Sequence, residues 1–229
     1  MTAPSGIHHL AVMTKDMKGQ IEFFTQACGL PLVALFDMHG VPGAWHGFVA
    51  LNEDTYLAFC QVPGVEDVES TVGVTHAGTG AGVSAPGTMQ HVAFEVASED
   101  ELLALRDRLR SNGVVALGPI DHGMCQSIYF AGPEGLTLEA AWQPANLDAD
   151  RWVDPAVCTA AGIADDDLER YLHPAPFERP TEPVPQPEID PGKPHLAYPE
   201  KDYAAMVALP DDVVTKSAST PDPPVPAAS

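Results

Sequence analysis

Apolar and polar residues alternate along two short stretches of the chain, about eighty positions apart. In Ile7-His8-His9-Leu10-Ala11-Val12-Met13, residues 7, 9, 11 and 13 share one face of an extended strand and residues 8, 10 and 12 the other. In Met89 to Val96, Met89, His91 and Ala93 face one way, and Gln90, Val92, Phe94 and Val96 the other. The bulkier set on each strand suits a helix, which turns His9 (rather than His8) and His91 towards a cleft. A helical stretch follows each strand. Asp16 caps one that carries Ile21, Phe24 and Cys28, and Ser98-Glu99-Asp100-Glu101 is a capping box ahead of Leu102, Leu105 and Leu109. Gly29 and Gly113 end the two helices. Short apolar runs then predict strands over 32–38, 46–51 and 56–62 in the first half, and over 114–120, 127–130 and 136–142 in the second. Each half reads β-α-β-β-β, which makes the chain α+β with two tandem βαβββ modules, at about 5–63 and 88–144. Residues 64–87, rich in Gly, Ser, Thr and Val, form a long linking loop placed to cover the cleft.

The two halves keep one register to their ends: Glu53 corresponds to Glu134, Pro63 to Pro144 and Ala58 to Glu139. The carboxylate therefore belongs to the second half alone. Glu139 alternates with Leu136, Leu138 and Ala140, so it points away from the helix-packed face, where an unpaired carboxylate is costly to bury. Two imidazoles and one carboxylate on three strands are the donors of an open divalent-metal site, so His9, His91 and Glu139 are the expected ligands.

Composition changes this picture mainly at the C-terminus. Fifteen of the 23 prolines follow Asp150, which divides the chain into a globular part, residues 1–145, and an appendage, 146–229, of short helices and a proline-rich acidic arm. Helix starts are expected at Asp154-Pro155 and Asp165-Asp166-Asp167, with no regular structure beyond His173. The formal charge of −21 opposes nucleic acid and anionic membrane surfaces as partners, and attracts cations. No run is long enough to span a bilayer and no signal-peptide layout opens the chain. Four scattered cysteines without a CxxC favour a reducing cytoplasm.

The HHLAV strand, the QHVAFEV strand, and the run Asp121-His122-Gly123-Met124-Cys125-Gln126-Ser127-Ile128-Tyr129-Phe130 with its Gly-Pro-Glu-Gly turn and Leu-Thr-Leu-Glu strand resemble the vicinal-oxygen-chelate superfamily. That superfamily holds glyoxalases, antibiotic-resistance proteins and extradiol ring-cleaving dioxygenases. The resemblance covers about residues 5–144. It implies two modules curled into a half-barrel around a metal, and a homodimer. It also implies that Tyr129, ten residues before Glu139, hydrogen-bonds a substrate oxygen beside that metal. Ring cleavers carry an acid–base histidine where Asp54-Thr55 stands here, so either another residue such as His46 or His122 moves the proton, or the chemistry is not extradiol cleavage. The leading expectation is an Fe(II) extradiol-type dioxygenase that takes O₂ and a neutral phenolic diol. The alternatives are an oxygen-independent glyoxalase- or epimerase-like lyase or isomerase using Mn, Zn, Ni or Co, and a metal-free protein that binds a small apolar ligand.

Overall fold

In module 1, strands β1 (His9–Met13), β2 (Leu32–Asp37), β3 (Trp45–Ala50) and β4 (Tyr56–Gln61) form one sheet with helix α1 (Met17–Glu22) after the first strand. Module 2 repeats the plan with β5 (Val92–Glu95), α2 (Glu99–Ser111), β6 (Ala116–Asp121), β7 (Gln126–Ala131) and β8 (Thr137–Trp142). This is a computed structural model describing residues 3–226. The strand orders are β1-β4-β3-β2 and β5-β8-β7-β6, with β1–β4 and β5–β8 parallel and the other neighbours antiparallel. The α+β class and the tandem βαβββ plan are those read from the sequence. The register agrees too: Phe48 lies opposite Ala58 in module 1, and Tyr129 opposite Glu139 in module 2.

Local chemistry sets the elements. The Asp16 carboxylate accepts the Gly19 N–H at the start of α1, and Ser98 Oγ accepts the Glu101 N–H at the start of α2. Glu101 reaches back to the N–H of Ala97, one residue further than a simple capping box. After α1 the helix widens into a π-turn over Phe23–Ala27, where the Cys28 N–H reaches the Phe23 carbonyl. This turn places Phe24 in the core, where it is fully buried.

The core is shared. Phe24 stacks on Phe59 at 5.4 Å and meets Phe94 of module 2 edge-on at 6.3 Å. Leu57, Leu102, Leu109, Ile128 and Leu138 complete it from both modules. The helix-bearing sides of the two sheets thus pack on common ground. A polar clasp adds to this: Glu134, in the β7–β8 turn, accepts the Lys15 N–H at 3.0 Å and the Gln20 amide at 2.8 Å. Burial alone would raise the Glu134 pKa. Hydrogen bonds from Thr14, Lys15 and Gln20, with the charge of Lys15, outweigh it and hold the carboxyl below its usual range.

Residues 4–174 form one compact unit, and the arm from Ala175 belongs to another. The first unit therefore runs past residue 145 and includes α3 (Ala149–Trp152), α4 (Pro155–Ala160) and α5 (Asp165–Leu172), the last two starting where expected. In the second unit the arm is more ordered than expected beyond His173, with α6 (Glu200–Val207) and α7 (Asp211–Ala218). Their N-caps are Pro199 and Pro210, positions where a missing N–H leaves no helical bond unmade. Tyr198 and Tyr203 stack within that unit at 6.2 Å.

Candidate metal centre

On the face of module 2 opposite its helix, β8 presents Glu139, 5 % exposed, and β7 presents Tyr129 directly across from it. His91 immediately precedes β5. Its Nε2 lies 2.8 Å from Glu139 Oε2, and its ring centroid lies 6.2 Å from that of Tyr129. The other ring nitrogen, Nδ1, meets Gln90 Oε1. The Gln90 amide nitrogen is occupied by the carbonyls of Thr79 and Gly82, so its oxygen is what faces His91 and Nδ1 must carry hydrogen. Nε2 therefore faces the carboxylate, and a ring nitrogen and a carboxylate oxygen 2.8 Å apart share a proton or a cation between them.

Tyr129 donates or accepts in a 3.1 Å bond with His122 Nε2, in the turn before β7. Burial, then the charge and hydrogen bonding of Glu139, raise the Tyr129 pKa, with Ser127 opposing, so the phenol keeps its proton. The linking loop lies against this face. Thr137 Oγ1 donates to the Ala77 carbonyl at 2.8 Å, and Gly80 approaches so closely that a Cβ there would lie 2.8 Å from Tyr129 Cε1. Between loop and sheet is a cavity of about 660 Å³, its walls mostly aliphatic (Val72, Val115, Leu117, Ile120) and its polar end formed by His122 and Tyr129.

His9 stands elsewhere. It opens β1 on the matching face of module 1, with ring neighbours His46 at 6.4 Å and Phe48 at 5.7 Å, and its Nδ1 is 2.9 Å from His8 Nδ1. His46 Nε2 is buried and finds no hydrogen-bond partner; burial, then the charge of His9, lower the His46 pKa. The clasp between modules holds Lys15 and Gln20, beyond the opposite end of β1 from His9. One chain thus brings together His91 and Glu139 with Tyr129 and His122, and holds His9 with His46 apart from them. Among the described residues no three His, Cys, Asp or Glu side chains gather into a cation site.

Residues 6–140 match the family model described as the Glyoxalase/Bleomycin resistance protein/Dioxygenase superfamily. The chain belongs to that superfamily. Solved structures of similar fold include a glyoxylase/bleomycin resistance protein/dioxygenase domain from Frankia sp. EAN1pec, 13% identical, covering 62% of this chain and 99% of that one at TM-score 0.48. A mutant of the fosfomycin resistance protein FosX from Listeria monocytogenes, complexed with Mn(II) and 1S,2S-dihydroxypropylphosphonic acid, is 16% identical over 63% and 96% of the two chains, at TM-score 0.42. Lactoylglutathione lyase from Agrobacterium tumefaciens is 17% identical over 61% and 94%, also at 0.42. No curated protein matches the chain. No helix among the described residues is long and apolar enough to cross a membrane.

Within this superfamily member, sequence alternation overlooks several site residues. It puts Gln90 on the helix side with Val92, yet β5 begins only at Val92, so pleat alternation does not govern residues 90 and 91. His76, a plain loop residue by its sequence setting, is 9 % exposed beneath the loop it belongs to. Trp152 of α3 lies against Gly123, beside His122, at 3.3 Å from where a Cβ would stand; the positive φ of Gly123 is the one local signal of that close approach. Phe36, Phe48 and Tyr56 line a second cavity, of about 730 Å³, on module 1.

Proposed function

We propose that the protein is a metal-dependent enzyme that chelates a small substrate through two adjacent oxygens, with an Fe(II) extradiol-type ring cleavage of a neutral phenolic diol as its reaction. The observation that carries this reading is the 2.8 Å approach of His91 Nε2 to Glu139 Oε2 beside the Tyr129–His122 pair. His91, Glu139 and His9 would hold the cation. When bound, such an ion supplies Lewis acidity towards two neighbouring substrate oxygens and, as Fe(II), redox chemistry with O₂. Tyr129, kept protonated, offers a hydrogen bond to a substrate oxygen, and His122 is placed to exchange a proton through it. The aliphatic cavity suits a compact, uncharged aromatic body.

Since His9 sits on the other sheet, the proposed site takes its third ligand from a second copy, in a homodimer that sets module 1 of one chain against module 2 of the other. Exposed Ile7 and Met13 on β1 and its approach, and Val115, Leu117 and Ile120 on β6 and its approach, supply apolar surface for that contact. His46 and the Phe36–Phe48–Tyr56 surface would then face the same substrate, and the buried, unpartnered His46 Nε2 would gain a polar neighbour. Free thiols at Cys28, Cys60, Cys125 and Cys158 suit a cytoplasmic setting.

A second reading keeps the site but removes oxygen: a lyase or isomerase using Mn, Zn, Ni or Co. What favours it is the turn where ring cleavers place a histidine, which here holds Asn52 accepting the N–H groups of Asp54 and Thr55 and presents no imidazole. One experiment separates the readings. Protein purified without oxygen is assayed for bound metals and for O₂ uptake with a panel of catechols. Stoichiometric iron with O₂ uptake supports ring cleavage; stoichiometric iron without uptake overturns it, and another metal moves the assignment to the second reading. The dimeric site has its own test. Mixed His9→Ala and Glu139→Ala chains regain one intact site per heterodimer, and absence of any rescue after subunit exchange overturns it.

A further inference from the structure

We propose that Gln90 is a positioning residue that ties the linking loop to the cation-binding histidine, so that the seat of the loop over Tyr129 and the aim of His91 are set together. The proposal rests on the metal reading above for its second half only. An amide can serve two masters because its two ends differ: Nε2 donates to Thr79 O at 3.0 Å and Gly82 O at 3.1 Å, while Oε1 receives His91 Nδ1–H. With Nδ1 so held, the ring presents Nε2 to Glu139 at 2.8 Å.

The rest of the loop lands on the same few residues. Thr137, two positions before Glu139 on β8, grips the Ala77 carbonyl from a buried site. Gly80 lies flat on the Tyr129 ring with no room for a side chain. His76 fills the space over Gly135, where a Cβ would stand 2.7 Å from its Nε2. The Gly80 contact falls on Tyr129, and the Thr137 contact on the strand face that carries Glu139. Among the described residues the loop adds no third cation donor to His91 and Glu139; it roofs the aliphatic cavity, with Gln90 as its fastening.

Gln90→Glu and Gln90→Ala separate the two ends of this tether. A carboxylate still accepts from His91 Nδ1 but cannot donate to the loop carbonyls, whereas alanine does neither. The full-length chain is titrated with Co(II), read by its visible absorption and by competition with a chelator, and cleavage of residues 72–87 by subtilisin is timed without metal. Gln90→Ala is expected to weaken Co(II) binding by roughly 10–100-fold, the usual worth of an outer-sphere partner, and to speed loop cleavage. Gln90→Glu is expected to keep Co(II) binding while its loop is cleaved as fast as in Gln90→Ala. Wild-type affinity and protection in Gln90→Ala overturn the proposal, as does an equal loss of Co(II) in both variants. If the parent chain takes up no Co(II), the metal reading fails by itself, and loop cleavage alone decides the tether. Should Gln90→Ala melt far below the parent, the near-isosteric Gln90→Glu carries the test.

Discussion

At one pair of matched positions, opposite Ala11 on β1 and Ala93 on β5, module 1 carries Ala58 and module 2 carries Glu139. On the antiparallel side stand Phe48 in the first and Tyr129 in the second, and next along those strands His46 and Ser127. On the helix side the same register gives Leu57 and Leu138, both 1 % exposed. Duplication has therefore preserved the packing face and let the open face diverge, one half towards aromatic surface and the other towards polar chemistry. The physical reason is that a leucine in a shared core is constrained by every neighbour it touches. A side chain on an open face is constrained only by the ligand it meets.

The comparison breaks first at the carboxylate. Glu139→Gln is expected to abolish cation binding, a loss beyond the roughly 10–100-fold typical of outer-sphere partners, while Ala58→Gln leaves affinity within about threefold. Metal content after dialysis checks both. Next, Tyr129→Phe is expected to keep the cation but lower kcat by about 10²–10³-fold, as for loss of one oriented donor, whereas Phe48→Tyr changes kcat little. Steady-state rates and metal content on the same preparations decide this, and an equal effect of the two changes would remove the division of labour between modules. In the core the modules should behave alike: Leu57→Ala and Leu138→Ala are each expected to cost about 2–5 kcal/mol, read by denaturant unfolding. A large difference between them would show that one module dominates the shared core.

The smallest contrast is between Glu134 and Glu53. Glu134 is held below its unfolded pKa, so the stability it adds is complete above about pH 4.3 and disappears as pH falls through its lower, folded value. The expected result is that Glu134→Gln flattens the fall of melting temperature on that acid limb, and Glu53→Gln leaves it unchanged. Identical limbs in all three proteins would show that the clasp contributes nothing.

Much of this was legible in the sequence because period-two and helical patterns are local. The alternation in Ile7–Met13 gives the face of His9, and the matched spacing of Ala58 and Glu139 gives the asymmetry without reference to strand pairing. What the pattern does not carry is which open faces meet. Parity turns His9 off its own helix, and Gln90 and Glu139, rather than parity, hold His91, yet the partner of the open face is decided by the clasp at Glu134 and the packing of Phe24 on Phe94, contacts between residues distant in the chain. Gln90 escaped for a related reason: alternation applies only where a strand exists, and β5 starts two residues later. The arm escaped in the opposite sense, since prolines read as prohibitions serve in α6 and α7 as starting positions.

The common core also governs how the polypeptide reaches its native state. With Phe24 against Phe94 and Lys15 against Glu134, the contacts that complete the shared core form only after more than half of the chain has been made. Either half made alone would leave aromatic rings wet and ready to associate.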